Sequence, residues 1–131
     1  MAERIVRFAE FELDFGRFQL FRAGDPVHLE GLPLQVLMLL VERHRQLVTR
    51  EQIAELWGKE VFVDFENGIN TAIRKIRLAL KDNSDRPQFL QTVVGRGYRF
   101  IAPVAQESGE GWTFSAEELG QALIAAAGLD R

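Results

Sequence analysis

The sequence predicts an α+β fold: short antiparallel strands first, then three helices, then a closing β-hairpin. Three observations carry that expectation. Residues 4–30 are rich in Phe, Val, Ile and Leu between turn signals, residues 33–81 show helical periodicity, and residues 88–104 hold two apolar runs around Gly95-Arg96-Gly97. A chain of 131 residues, 47% hydrophobic and 27% charged, suits one globular domain with an appendage.

The stretches "IVRFAEFEL", "RFQLFR" and "PVHLE" read as strands of a three- or four-stranded meander. Asp14-Phe15-Gly16 and Ala23-Gly24-Asp25-Pro26 supply the turns. Phe8, Phe11, Phe15, Phe18 and Phe21 are then core and sheet surface. In "LPLQVLMLLVERHRQ", Leu34, Leu37, Leu40 and Val41 recur at helical spacing, and Pro33 fits the first turn, where its missing N–H costs nothing. The second helix opens with a capping box, Thr49-x-x-Gln52. It carries Ile53, Leu56 and Trp57 on one stripe and stops at Gly58.

The third helix, about 67–81, is the informative one. Ile69, Ile73, Ile76 and Leu80 are spaced by four, three and four residues, which makes one buried stripe. The opposite side collects Asn67, Thr71, Arg74, Lys75 and Leu78, flanked by Asn70, Arg77 and Lys81. Cations beside short amide and hydroxyl groups are the mixture that grips phosphates and reads base edges in a major groove. After the loop "DNSDRP", "QFLQTVV" and "YRFIAPV" form a hairpin closed by Pro103. The segment 105–131 reads as a Gly/Glu/Ser linker, then a helix from the capping box Ser115-x-x-Glu118 to about Ala127.

Charge distribution supports an anionic partner despite the net charge of -3. Residues 1–66 hold 8 basic and 12 acidic side chains, residues 67–102 hold 7 and 2, and residues 103–131 hold 1 and 5. A basic segment inside an acidic chain marks one face for that partner. With no cysteine, disulfides, zinc–cysteine sites and thiol catalysis are excluded, which fits a cytoplasmic protein. The longest apolar run, Val36–Val41, falls far short of the roughly 18 residues a membrane span needs. The N-terminus has acidic residues and no apolar core, unlike a secretory signal.

Strands, three helices and a terminal hairpin form the layout of a winged helix-turn-helix, with the hairpin as the wing. "VVGRGYRF" then supplies a wing tip: its glycines allow a tight turn, and Arg96 projects toward a narrow minor groove. The competing phosphate-cradling loop requires a following helix, yet "YRFIAPV" has strand composition. His28 and His44 fit no metal-ligand spacing, and no Ser/His/Asp arrangement suggests itself. Neither catalysis, nor a metal, nor a cofactor is expected.

The segment 48–104, above all "FVDFENGINTAIRKIRLAL" and "GRGYRF", resembles the DNA-binding domain of OmpR/PhoB-type transcriptional regulators. With the N-terminal strands the resemblance covers about residues 4–104. It implies a four-stranded antiparallel N-terminal sheet, three helices and a C-terminal β-hairpin wing. It also implies DNA contacts by Asn67, Gly68, Thr71, Arg74, Lys75 and Arg77 in the major groove, and by Thr92, Arg96 and Tyr98 in the wing. Trp57 matches a tryptophan that contacts the DNA backbone, although Trp57 and Tyr98 suit packing equally well. The 58–67 loop occupies the place that meets RNA polymerase in some activators. Val94 stands where a basic residue is common and Leu78 where lysine is usual.

A winged helix near the N-terminus, with no phospho-receiver before it, resembles the CadC/ToxR-like arrangement. The expectation is a bacterial, sequence-specific, double-stranded-DNA-binding domain over residues 1–104, with 105–131 as an acidic linker and helix. The alternative is a winged-helix adaptor that contacts protein through the C-terminal helix, which also offers a route to self-association.

Overall fold

A computed structural model describes residues 4–58, 64–108 and 111–113. Four strands, β1 (Ile5–Phe8), β2 (Phe11–Asp14), β3 (Gln19–Arg22) and β4 (Asp25–Pro26), form an antiparallel meander as expected, with shifted bounds. The stretch "IVRFAEFEL", read as one strand, is the β1–β2 hairpin, turning at a left-handed Ala9. Asp25-Pro26, read as part of a turn, is β4, and residues 27–30 of "PVHLE" lie outside any strand. Helices α1 (Gly31–Glu42), α2 (Arg50–Ala54) and α3 (Phe65–Leu80) follow, with a 3-10 turn over Glu55–Trp57 extending α2. The wing is β6 (Leu90–Val93) paired antiparallel with β7 (Gly97–Phe100).

Two larger features also differ from the sequence expectation. Val48–Thr49, read as a link between helices, is a strand, β5, paired with Tyr98 and Gly97 of β7. The wing is therefore a three-stranded sheet in the order β5-β7-β6. Residues 105–113, read as linker, contain β8 (Ala105–Ser108) and β9 (Gly111–Thr113). Strand β8 pairs with β1 and widens the N-terminal sheet to six strands, β4-β3-β2-β1-β8-β9. Strand β9 is the new edge, and β8 lies between β1 and β9. The expected helix over 115–127 lies outside the described residues.

One core joins the pieces. Leu34, Leu37, Leu40 and Val41 of α1 are buried with Ile53 of α2 and the Ile69–Leu80 stripe of α3. Beside them, Phe8 and Phe11 meet Phe89 and Phe100 with ring centroids 5.0–5.8 Å apart, mostly edge to face. This cluster fastens the N-terminal sheet to the wing. Phe18 lies at the surface, while Phe15 and Phe21 sit under Arg4 and Arg17 at 4.6 and 5.2 Å.

Candidate nucleic-acid interface

Local chemistry sets where α3 begins and ends. The Asp64 carboxylate accepts the Asn67 N–H at 3.1 Å, the interaction of an N-cap. At the other end Lys81 adopts a left-handed conformation and its N–H donates to the carbonyls of Arg77 and Leu78. Next to it, the Asp82 carboxylate accepts N–H bonds from Gln88, Phe89 and Leu90 at 2.7–3.3 Å. That carboxylate folds the loop back and delivers β6 to the side of α3.

Burial along α3 divides as its periodicity dictates. Ile69, Ala72, Ile73, Ile76 and Leu80 are buried, whereas Asn67, Asn70, Arg74, Lys75, Leu78 and Lys81 are exposed and Thr71 is half-buried. The side chains of Arg74 and Lys75 have no hydrogen-bond or ion-pair partner among the described residues. Arg77 is different: its Nη2 donates to the Leu90 carbonyl at 3.2 Å and to Thr92 Oγ1 at 2.8 Å. It ties α3 to the wing, and Thr92 is its acceptor.

Trp57 and Gly68 are explained together. The indole lies against the helix at Gly68, and a Cβ there would come within 3.1 Å of the ring. Tyr98 is buried, and its hydroxyl accepts from Arg50 Nη1 at 2.8 Å. Arg50 also donates through Nη2 to Glu66 Oε2 and Asn70 Oδ1, both at 3.1 Å. A guanidinium at the start of α2 therefore links β7 to the first two turns of α3. The sequence offers no local signal for this role, because the partners of Arg50 lie 16, 20 and 48 residues away.

At the wing tip the Arg96 N–H closes the turn on the Val93 carbonyl at 2.9 Å, leaving the Arg96 side chain exposed and unpaired among the described residues. Gly97 has a reason beyond the turn. Its φ is +157°, and a Cβ there would collide with the Val48 carbonyl where β5 crosses. Arg74, Lys75 and Arg96 thus project from two elements that Arg77 holds side by side. Among the described residues no group of His, Cys, Asp or Glu is placed to hold a metal ion. Among the same residues no helix is long and apolar enough to cross a membrane. The 58–67 loop lies outside the described residues over positions 59–63.

The family model "Transcriptional regulatory protein, C terminal" matches residues 24–100, more than half the chain. The chain belongs to that family. Among curated relatives, a Synechocystis protein described as the DNA-binding dual master transcriptional regulator RpaA is 39% identical over 83 residues, 63% of this chain and 34% of its own length. A Bacillus subtilis transcriptional regulatory protein, YcbL, is 29% identical over 97 residues, 73% of this chain and 42% of its own length. The chain thus spans less than half the length of these relatives.

Solved structures agree on the winged-helix fold of OmpR/PhoB-type effector domains. The Thermotoga maritima response regulator DrrB, an OmpR/PhoB homologue, superposes with a TM-score of 0.66 at 30% identity, over 74% of this chain and 44% of its own. The DNA-binding domain of Escherichia coli CadC gives 0.64 at 25% identity, over 79% and 97%. The Klebsiella pneumoniae RstA DNA-binding domain, solved on its RstA box, gives 0.65 at 23%, over 74% and 96%.

Proposed function

We propose that this domain binds double-stranded DNA sequence-specifically to regulate transcription, with α3 in the major groove and the β6–β7 wing at the minor groove. The observation that carries the reading is a pair of exposed cations, Arg74 and Lys75, without partners among the described residues, on the side of the helix away from its buried stripe, held against a wing whose tip carries Arg96, likewise unpaired among the described residues. Arg74 and Lys75 grip phosphates and bases, Asn67 and Thr71 offer base-edge hydrogen bonds, and Arg96 enters the minor groove. Gly68 lets Trp57 lie close to the helix. Arg77, Thr92 and Tyr98 set the angle between helix and wing.

The DNA-binding module occupies residues 1–104, and 105–131 follow it as an appendage that begins by completing the sheet. No step of this role is enzymatic, and it belongs in the cytoplasm with the DNA. Binding titrations over a series of salt concentrations test the reading. Neutralising about 4–6 phosphates gives a slope of log affinity against log salt of roughly -4 to -5. A flat response, or no enrichment of any motif from random duplexes, refutes it.

A further inference from the structure

Among the described residues, four large apolar side chains are exposed, and the two most exposed are Val94 on the wing and Leu78 on α3, at 89% and 71%. Leu78 occupies a telling azimuth. At about 100° per residue, Ile69, Ile73, Ile76 and Leu80 lie about 140–180° around the helix from it. Leu78 is thus at the crown of the outward face. Thr71 lies within about 20° of the same line, roughly 10 Å back along the axis. Arg74 falls about 40° to one side and Lys75 about 60° to the other. The side chain at the centre of this basic face is therefore apolar and lies outside the core.

We propose that Leu78 is a specificity-determining residue that reads the 5-methyl group of a thymine in the major groove. The inference rests on the DNA-binding reading and deepens it. Thymine alone presents a methyl there, and an apolar side chain recognises it by excluding water. The flanking cations suit the geometry, because charges on either side of a central apolar contact can reach the two backbones that border a groove. A lysine at the crown would bind any sequence through phosphate, whereas leucine contributes only where a methyl meets it.

The test uses the full chain. A binding site is selected from random duplexes, and each thymine in it is replaced in turn by deoxyuridine, which removes only the methyl. The wild-type protein should lose about fourfold in affinity at one position, the factor that burial of one methyl-sized group is worth. Leu78→Ala should bind the thymine and uracil duplexes equally at that position while retaining a discrimination among G·C positions. Since Leu78 is exposed, its replacement leaves the fold intact, which a thermal melt checks. A selected motif with no uracil-sensitive position, or one whose sensitivity survives in Leu78→Ala, overturns the proposal and leaves the DNA-binding reading standing. Failure to select any motif removes both.

Discussion

The cations of the outward face divide by whether the fold already uses them. Arg77 and Arg50 are engaged, at 2.8 Å to Thr92 and 2.8 Å to Tyr98, so their charge is partly committed to holding α2, α3 and the wing together. Arg74, Lys75 and Arg96 have no such partner among the described residues. An unpaired arginine on an exposed tip gains nothing from the fold, and in a narrow minor groove it meets an enhanced negative potential. Arg96→Ala should therefore weaken binding by about tenfold on duplexes with A·T-rich flanks and much less on G·C-rich flanks, within the 1–3 kcal/mol typical of one specific contact. Paired fluorescence titrations on the two duplexes decide it. Equal loss on both makes Arg96 a plain phosphate contact. Val94 beside it is 89% exposed and carries no charge, so no second cation on this turn masks the effect.

At the scale of elements, the wing depends on a close approach that composition alone does not reveal. Gly95 and Gly97 look equivalent in "GRGYRF", and both have positive φ, yet space around Gly95 is open while Gly97 lies against the backbone of β5. Gly95→Ala should cost about 1–2 kcal/mol, the left-handed penalty of an L-residue. Gly97→Ala should cost more than about 3 kcal/mol or abolish folding, since its Cβ meets backbone that cannot move without breaking the Val48–Tyr98 pairing. Urea unfolding of the two variants compares them, and equal losses would sink the argument. The contrast shows what the sequence could disclose. Helix α3 was legible because 16 residues repeat a 3.6-residue period, and the Thr49–Gln52 capping box because its spacing is local. Strand β5 has two residues, too few for any period. Strand β8 is polar and pairs with a β1 edge about 100 residues earlier in the chain, and the three-residue β9 pairs only with β8. The outward cations could be found from periodicity, but not which of them the fold had already bound.

For the molecule as a whole, the sheet's extension by β8 alters what residues 105–113 are for. Strand β1 pairs with β2 on one side, and on the other its edge is covered by Gln106 and Ala105. Val104 and Ala105 are buried where the chain crosses from the core to that edge. Ending the chain at Val104 would uncover the row of N–H and C=O groups along β1, a ready template for pairing with another copy. The shortened protein should melt at a temperature lower by about 5 °C or more, as loss of about 1 kcal/mol implies for a domain of this size. It should also self-associate more as concentration rises. Its DNA affinity, measured below the melting range, should keep the same salt slope, because Arg74, Lys75 and Arg96, the cations of the proposed DNA face, all precede residue 104. Calorimetry, light scattering and one salt series make the comparison. An unchanged melt would mean that the β8–β1 pairing adds nothing to stability. A steeper slope, by contrast, would mean that the acidic tail opposes DNA directly, since residues 103–131 carry five acidic side chains against one basic.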